Sequence, residues 1–320
     1  MFRTEICDIL NIQYPIILGG MVFVGKGELT GAVSEAGGLG LLGAGGMSLE
    51  EIASELEIVR SKTSKPFGVN VPLARPDAEE MIDVSIKNGA SVISTSAGSP
   101  KHYTQLIHNR GCIVIHVTSS VVMAKKCEDA GVDIVVAEGF EAGGHNGFDE
   151  LTTMTFIPQA VRALNIPVVS AGGIANGQGF VAALALGAKG VQVGTRFATT
   201  VESGAHQNVK DAIIASQGGD TCITGRTSVG PTRSLKNSLT AQIIKAENEG
   251  MPADQLMEII GGGRSIMACV DGDCEEGTVY CGQISGLVNK LITVKEAVDT
   301  MIAEAQTITQ SLSSLASLSK

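Results

Sequence analysis

The sequence predicts a (β/α)8 barrel with a smaller, mainly helical lobe inserted after its eighth strand. Three observations carry this prediction: eight short apolar runs typical of buried strands, helical periodicity between them, and glycines where the helices end. Eight strands that alternate with helices imply a parallel sheet, and eight is the number that closes this barrel. The apolar runs are Pro15–Leu18, Leu39–Leu42, Pro66–Val71, Ser91–Thr95, Ile113–Val117, Ile134–Ala137, Val168–Ala171 and Gly190–Val193.

The segments between these runs have apolar residues at helical spacing. Several end in a glycine directly before the next strand, as in Asn88-Gly89-Ala90 and Ala130-Gly131-Val132, which is a typical helix stop. An open, doubly wound sheet is the alternative, but the segment Gly19-Gly20-Met21-Val22 after the first run lacks the glycine spacing of a dinucleotide-binding turn. The predicted helices include Leu49–Arg60, Glu79–Lys87, Ser120–Ala130 and Phe180–Leu186.

The strand–helix repeat stops after the eighth run. We predict a barrel over residues 1–200, an inserted substrate or lid lobe over residues 201–284, and a helical segment over residues 285–320 that returns to the barrel. In this last segment the spacing within Ile292–Leu315 predicts the final barrel helix. The predicted lobe helices are Asn208–Ser216, Ser238–Asn248 and Ala253–Ile260.

The composition indicates a folded protein with a large core. Of 320 residues, 44% are hydrophobic and 18% are charged, and the net charge is −10, which argues against general binding to nucleic acid or to a membrane surface. No apolar run reaches membrane-spanning length and the N-terminus lacks a signal-peptide core, so we expect a cytoplasmic protein. The seven cysteines lack metal-ligand spacing, and we predict reduced thiols and no metal site.

Glycine-rich turns follow most of the predicted strands, at the end of a barrel where active sites lie. Gly172-Gly173 follows the seventh run and Gly194-Thr195 the eighth; the backbone N–H groups of such turns hold phosphates, and a threonine adds a hydroxyl. The many glycines leave a broad cavity that suits a planar ring, so FMN fits, with Asn70 and Gln192 placed to bind the ring edge or the ribityl chain. Tight turns and satisfied core polar groups are the alternative explanations.

A glycine-rich loop that carries one histidine follows the sixth run. Residues 137–147 read AEGFEAGGHNG; the preceding strand would fix where the imidazole of His145 points, and the glycines would let backbone approach a ligand. A surface turn with a solvent-facing histidine is the alternative. Glu138 is the one convincing acid at a strand end and no predicted strand ends in lysine, which disfavours a phosphosugar isomerase. A non-enzymatic flavin-binding protein would not need the histidine.

Six motifs lie at the strand ends and in the lobe: GGM (19–21), PFGVN (66–70), EAGGH (141–145), AGGI (171–174), VGTRF (193–197) and GQISGL (282–287). On these motifs the chain resembles the nitronate monooxygenase superfamily, FMN-dependent barrels that include the enoyl-acyl-carrier-protein reductase II enzymes. Three features resemble the reductase branch more closely: LTTMT (151–155), Glu202-Ser203 with His206, and RSLKN (233–237). The GGM segment at 45–47 departs from the reductase pattern, where an asparagine often stands.

The resemblance implies a reaction for each branch. A reductase would use NADH or NADPH to reduce FMN and would reduce a trans-2-enoyl thioester of acyl carrier protein or CoA in fatty-acid synthesis, with His145 as the catalytic hydrogen-bond or proton donor. A monooxygenase would oxidise alkyl nitronates with O2, and His145 would bind the nitro group or remove a proton. We predict substrate contacts from Met154, His206 and Arg233. We predict FMN contacts from Gly19, Gly20, Met21, Asn70, Glu138, Gly144, Gly172, Gly173, Gln192, Gly194 and Thr195.

Basic residues cluster between Thr221 and Lys245, where no acidic residue occurs. A basic lobe beside the barrel mouth would attract an acidic acyl carrier protein, or the phosphates of a nicotinamide or pantetheine arm; an ordinary solvated face is the alternative. We therefore expect a small-molecule or acyl-thioester substrate, an acyl carrier protein as candidate partner, a homodimer, and neither nucleic acid nor membrane as partners. The four basic residues are Arg226, Arg233, Lys236 and Lys245.

Overall fold

The computed structural model describes residues 2–317 and contains the eight parallel barrel strands that the sequence predicts. Neighbouring strands are hydrogen-bonded throughout one sheet. Its two ends also meet, because Leu18 N donates to Leu39 O and Leu39 N to Ile16 O, each at 2.9 Å. The predicted barrel is thus confirmed. The strands are β1 (Ile16–Leu18), β2 (Gly40–Gly43), β3 (Phe67–Pro72), β4 (Val92–Ser96), β5 (Ile113–Thr118), β6 (Ile134–Glu138), β7 (Gly144–His145, outside the barrel), β8 (Val168–Ala171) and β9 (Gly190–Val193).

Helices connect successive strands and cover the outside of the barrel. At the start of the helix that follows β2, the Ser48 hydroxyl accepts from the Glu51 N–H at 3.2 Å and the Glu51 carboxylate accepts from the Ser48 N–H at 2.7 Å, which is a capping box. Within residues 2–317 no helix is both long and apolar enough to cross a membrane. The helices are α1 (Glu5–Ile9), α2 (Gly27–Glu35), α3 (Leu49–Lys62), α4 (Ala78–Lys87), α5 (Thr104–His108), α6 (Val121–Asp129), α7 (Thr153–Ala163), α8 (Gly177–Ala185), α9 (Thr195–Ala198), α10 (Gln207–Ala215), α11 (Ser238–Asn248), α12 (Ala253–Ile260), α13 (Arg264–Cys269) and α14 (Val294–Ser317).

Side chains that point into the barrel alternate with side chains that face the helices. Ile17, Leu41 and Val169 belong to the buried cluster inside the barrel, together with residues of the short helix α1. Ile6 of α1 lies so close to Gly190, the first residue of β9, that a Cβ there would be 2.4 Å from its Cδ1. Helix α1 therefore plugs the N-terminal end of the barrel, which leaves ligand binding to the opposite end.

The last helix, α14, packs against α8 and α2. Gly177 at the start of α8 lies against it, since a Cβ at this position would be 2.4 Å from the Glu304 Cβ. The Gly177 N–H also donates to the Glu304 carboxylate at 2.8 Å. Val298 and Met301 of α14 are buried in the main core, so this helix completes the outer layer beside the first helices of the barrel.

The chain between α9 and α14 carries helices α10–α13 and two further strands, β10 (Thr221–Thr224) and β11 (Thr232–Leu235). These strands pair antiparallel with each other, and β11 also pairs with β7, which makes a three-stranded sheet. This sheet is absent from the sequence-based prediction of a mainly helical lobe. Ile213, Leu235 and Val279 form part of a separate apolar core here. Because β7 follows barrel strand β6, the sheet joins this region to the mouth of the barrel.

Candidate active site

Three predicted cofactor residues point into the barrel near the C-terminal ends of its strands. Gln192 lies in register with the interior residue Ile17, and Glu138 lies in register with the interior residue Ala171. The same alternation turns Asn70 of β3 inward. The structure therefore brings an amide, a carboxyl and a second amide together at the mouth, where barrel enzymes bind their ligands.

Two of these side chains have hydrogen-bonding capacity that protein groups leave unused. Within the described residues, the buried Oε1 of Gln192 has no hydrogen-bond partner, and an unpaired buried acceptor costs about 1–3 kcal/mol. Asn70 accepts from the Ser94 hydroxyl at 3.2 Å. Gly20 lies flush against it, because a Cβ on Gly20 would be 2.5 Å from the Asn70 Cγ. A ligand that donates to Gln192 and lies against Asn70 and Gly20 would satisfy this arrangement.

The turn after β8 has the geometry of an anion cradle. Gly172 and Gly173 have φ values of +89° and +76°, a left-handed conformation that favours glycine. In the part of the chain that the structure describes, the N–H groups of Gly173 and Ile174 donate to no protein acceptor. Thr195 lies after β9, and its Oγ1 accepts from the Gly282 N–H at 2.9 Å, which leaves its hydroxyl proton for another partner. These groups fit the predicted phosphate site.

The first strand's turn completes the wall beside Thr195. A Cβ on Gly194 would be 3.6 Å from the Met21 sulfur, and a Cβ on Gly19 would be 3.6 Å from the Gly194 Cα. Glycine at these two positions therefore keeps the surface next to Met21 low and open. This surface suits a flat ring better than a branched ligand.

Glu138 is a titratable group at the mouth. Burial raises its pKa to about 7, because the charged carboxylate loses its hydration. Among residues 2–317 no ion pair or hydrogen bond compensates this cost. Burial therefore favours the protonated carboxyl, which can donate a hydrogen bond as well as accept one.

The histidine loop, residues 139–147, reaches its position through the lobe sheet. Gly144 has a φ of +84°, and β7 then pairs with β11 so that His145 faces Thr232 in register. The next residue, Asn146, donates its backbone N–H to Pro231 O at 2.8 Å, and its side-chain amide donates to the carbonyls of Ala142 and Gly144, each at 3.0 Å. His145 therefore lies on a fixed sheet edge and not on a free surface turn.

His145 presents an exposed imidazole beside one aromatic neighbour. The centroids of the His145 and Tyr280 rings are 6.4 Å apart, with an interplanar angle of 46°. Desolvation by the surrounding protein lowers the pKa of His145 from its ordinary value, which favours the neutral form of the ring. A neutral imidazole has one N–H donor and one nitrogen acceptor.

Arg233 holds the histidine loop through hydrogen bonds to the backbone of Phe140. Its side chain is 4% exposed; its Nε and Nη2 donate to Phe140 O at 3.2 and 2.9 Å, and its Nη1 donates to Thr221 Oγ1 at 3.0 Å. The guanidinium also lies 5.1 Å from the centroid of the Phe140 ring. Burial lowers its pKa. Arg233 thus holds the loop, and its predicted contact with substrate stays a prediction that this burial does not favour.

A family model described as nitronate monooxygenase matches residues 3–88 and 78–304 of this chain. The chain belongs to the nitronate monooxygenase family. The match covers the barrel, the histidine loop and the lobe, so the superfamily resemblance that the motifs indicated is confirmed. The protein is therefore an oxidoreductase of this family.

Individual relatives point to more than one activity. The probable nitronate monooxygenase of Staphylococcus saprophyticus is 34% identical, over 77% of this chain and 82% of the relative. The (3aS,4S,5R,7aS)-5-hydroxy-7a-methyl-1-oxo-octahydro-1H-indene-4-carboxyl-CoA dehydrogenase of Rhodococcus jostii is 30% identical, over 95% and 96%. The solved structure of FabK from Thermotoga maritima is 39% identical, with a TM-score of 0.93, over 98% of this chain and 100% of that chain. The FabK likeness supports the reductase branch to which three motifs pointed.

The nitronate monooxygenase family is flavin-dependent, and the mouth of this barrel fits a flavin. Gln192 and Asn70 would hold the ring, the free N–H groups at Gly173 and Ile174 would hold a phosphate, and Gly20 keeps the floor flat. Each assignment rests on an unpaired polar atom or on a close approach that a side chain would block. The contacts of these residues and of the other predicted cofactor residues with FMN stay predictions.

Met154 and His206 are the other two predicted substrate residues. Met154, in the first turn of α7, is 67% exposed. His206 caps α10, since its Nδ1 accepts from the Asn208 N–H at 3.2 Å, and its ring lies against Gly272, where a Cβ would be 2.3 Å from Nδ1. This capping contact accounts for His206 without a ligand. Their predicted roles in substrate binding stay predictions.

The basic segment is less available for docking than its sequence indicates. Arg233 is buried, and Arg226 is paired with Glu150 at 2.7 Å. Among the described residues, Lys236 forms no ion pair with a carboxylate. The Nζ of Lys245 lies 3.9 Å from the carboxylate of Glu249. The fold therefore buries Arg233 and pairs the exposed Arg226 with Glu150, and the attraction of an acidic carrier protein to this segment stays a prediction.

Two residues near His145 were missed in the sequence. Asn146 follows the histidine directly, so its place in the loop could have drawn attention to it. Tyr280 lies far along the chain, and its only signal is that it stands two residues before the GQISGL motif. His116, in the fifth apolar run, faces outward: it is 1% exposed, its Nδ1 lies 2.7 Å from Thr95 Oγ1, and burial lowers its pKa to about 4.

Proposed function

We propose that this protein is an FMN-dependent reductase that uses NADH or NADPH to reduce trans-2-enoyl thioesters of acyl carrier protein or CoA. One observation carries the proposal: two segments that resemble the reductase branch both hold the histidine loop. From LTTMT (151–155), Thr153 donates its N–H to the Glu141 carboxylate at 3.0 Å. From RSLKN (233–237), Arg233 donates to Phe140 O.

These contacts link the branch motifs to catalysis. The Thr153 hydroxyl also donates to Gly172 O at 2.8 Å, so the same residue joins the histidine loop to the phosphate turn. A motif that merely packed on the outside of the barrel would say little about the reaction. Motifs that fix the position of His145 bear on which substrate the imidazole meets.

FMN, when bound, supplies the hydride transfer from the nicotinamide to the β-carbon of the enoyl group. Negative charge then develops on the thioester oxygen and the α-carbon, the neutral His145 can donate its N–H to that oxygen, and a proton from water at the α-carbon completes the reduction. A hydrogen-bond donor that is already in position where negative charge develops lowers the activation free energy of the reaction more than it strengthens substrate binding. Asn146 and Arg233 hold the loop so that this donor stays in place. The relative from Rhodococcus jostii, whose name gives a carboxyl-CoA as its substrate, supports a CoA thioester as the substrate class.

Nitronate oxidation with O2 is the second candidate, and the family model and the relative from Staphylococcus saprophyticus favour it. In that reaction His145 would bind the anionic nitro oxygen or remove a proton from the nitroalkane. Both reactions place a histidine beside an anionic oxygen, so the histidine alone does not separate them.

A steady-state assay of the purified protein tests the proposal. We expect NADH or NADPH oxidation that depends on a crotonyl thioester, and a loss of roughly 10²–10⁴-fold in His145→Ala. The surface variant His102→Ala is the matched control and should retain full activity. Nitronate-dependent O2 consumption without any thioester-dependent turnover would contradict the proposal.

The partner predictions accompany this proposal. An acyl carrier protein as thioester carrier requires turnover of crotonyl-acyl-carrier-protein at lower KM than crotonyl-CoA. A homodimer requires twice the chain mass of 33.0 kDa in light scattering. A monomeric mass, or equal KM values for the two thioesters, would count against these proposals.

A further inference from the structure

Tyr280 is a polar aromatic residue that stands beside His145 and that the proposed reaction does not yet use. Its ring centroid lies 6.4 Å from that of His145, and its side chain is 37% exposed. Within the described residues, its hydroxyl makes no hydrogen bond to the protein. The chain contains only three tyrosines, so a tyrosine beside this histidine is not expected from the frequency of tyrosine in the chain.

The backbone around Tyr280 is tied to the site on both sides. Val279 O accepts from Leu235 N at 2.9 Å, and Gln283 N donates to Glu141 O at 3.0 Å. Cys281 packs on the histidine loop so closely that a Cβ on Gly143 would be 2.5 Å from its carbonyl carbon. Tyr280 is therefore fixed relative to the loop that carries His145, as a preorganised donor must be.

We propose that Tyr280 is a second catalytic donor, whose hydroxyl and the His145 N–H together bind one anionic oxygen of the substrate. Two hydrogen bonds of about 2.8 Å that meet on one oxygen bridge donors up to about 5.6 Å apart, which rings at this separation and tilt can satisfy. A half-exposed phenol at the mouth is accessible to a ligand. Burial raises the pKa of Tyr280, so the phenol keeps its proton and stays a donor.

The pair would bind a negatively charged substrate oxygen, which either of two substrate classes could supply. In the proposed thioester reduction it is the enolate oxygen, and in nitronate oxidation it is an oxygen of the nitronate; both are planar groups with charge on oxygen. The inference deepens the proposed function but does not depend on which of these reactions the protein performs. Two donors on one oxyanion stabilise charge that a single imidazole would leave partly unpaired.

The test compares Tyr280→Phe, which keeps the ring and removes the hydroxyl, with Tyr103→Phe as the matched control outside the site. Holoenzyme of each variant is assayed with crotonyl-CoA plus NADH or NADPH, and separately with propyl-2-nitronate plus O2. We expect Tyr280→Phe to lose about 100-fold in kcat in whichever arm the wild type is active, with bound flavin and unfolding midpoint unchanged. Tyr103→Phe should match the wild type. Loss of less than threefold in Tyr280→Phe overturns the inference.

A binding measurement decides the question without turnover. Isobutyrate is an unreactive planar oxyanion, and its binding to the holoenzyme is followed through the imidazole resonance of His145 in ¹³C-histidine-labelled protein. We expect isobutyrate to shift that resonance and to bind about 10-fold more weakly to Tyr280→Phe. Equal affinity in the two proteins, or no shift of His145 in the wild type, overturns the inference. Activity in neither arm contradicts the proposed function, while this titration still tests the two-donor site.

Discussion

Replacement of Gly173 by alanine tests the link between the phosphate turn and the histidine loop. Gly173 has a φ of +76°, so an alanine pays about 1–2 kcal/mol for the left-handed backbone. Its Cβ would also lie 2.2 Å from the Glu141 Oε2. Because Glu141 accepts from the Thr153 N–H at 3.0 Å, moving its carboxylate disturbs the start of α7 and adds about 1–3 kcal/mol.

A matched control isolates the second cost. Gly111 has a φ of +75°, and a Cβ there meets nothing within 4 Å, so Gly111→Ala should lose only the backbone cost of about 1–2 kcal/mol. Gly173→Ala should lose about 2–5 kcal/mol by the sum of the two costs, and it should also retain less flavin because the free N–H groups beside it shift.

Urea unfolding and the ratio of bound flavin to chain measure both effects. Equal destabilisation of the two variants, or full flavin content in Gly173→Ala, would refute the reasoning, because the clash with Glu141 would then have no consequence. A lower flavin content in Gly111→Ala would also count against it, since that turn lies far from the mouth.

Three further changes have defined outcomes. Arg233→Lys cannot keep both bonds to Phe140 O, so we expect an activity loss of roughly tenfold and a destabilisation of about 1–3 kcal/mol, measured by steady-state kinetics and urea unfolding. Relative to Glu138→Gln, wild-type stability should fall as pH rises from about 4.5 to about 7, because the folded carboxyl, with its raised pKa, holds a proton that the unfolded one has lost; a flat difference in urea midpoint would contradict this. Gly177→Ala, which collides with α14, should lose about 1–3 kcal/mol and expose α14 to protease, whereas Gly219→Ala, with open space around it, should not.

The barrel could be predicted because its signals are local. Each strand is a short apolar run and each helix has its own periodicity and glycine stop, so residues such as Gly131 and Gly187 mark boundaries without knowledge of the rest. The closure of the sheet into a barrel could be predicted because eight is the number of parallel strands that forms a (β/α)8 barrel. The glycines at strand ends predict where FMN binds, and the unpaired Gln192 Oε1 and the free N–H groups of Gly173 and Ile174 fit that prediction.

The lobe sheet could not be predicted because its pairing is distant in sequence. Strand β7 is two residues long and pairs with Thr232 and Arg233, which lie far beyond it in the chain. No alternation over two residues can signal a strand. For the same reason the burial of Arg233 under Phe140 and the approach of Tyr280 to His145 were invisible, since each depends on the fold of the whole lobe.

The capping role of His206 could not be predicted because a histidine side chain can serve more than one purpose, although its partner Asn208 is close in the sequence. A histidine before a helical run reads equally well as a ligand contact or as a cap, and only the 3.2 Å contact of its Nδ1 with the Asn208 N–H separates the two. The burial of Arg233 within the basic segment was hidden in the same way, because charge along the sequence does not tell which side chains the fold buries.

Anaerobic stopped-flow absorbance of the flavin-loaded protein tests the central claim most directly. We predict that NADH or NADPH bleaches the flavin rapidly, and that a crotonyl thioester then restores its colour at a rate that His145→Ala slows. Bleaching by propyl-2-nitronate but by neither nicotinamide would contradict the account and identify nitronate oxidation as the reaction.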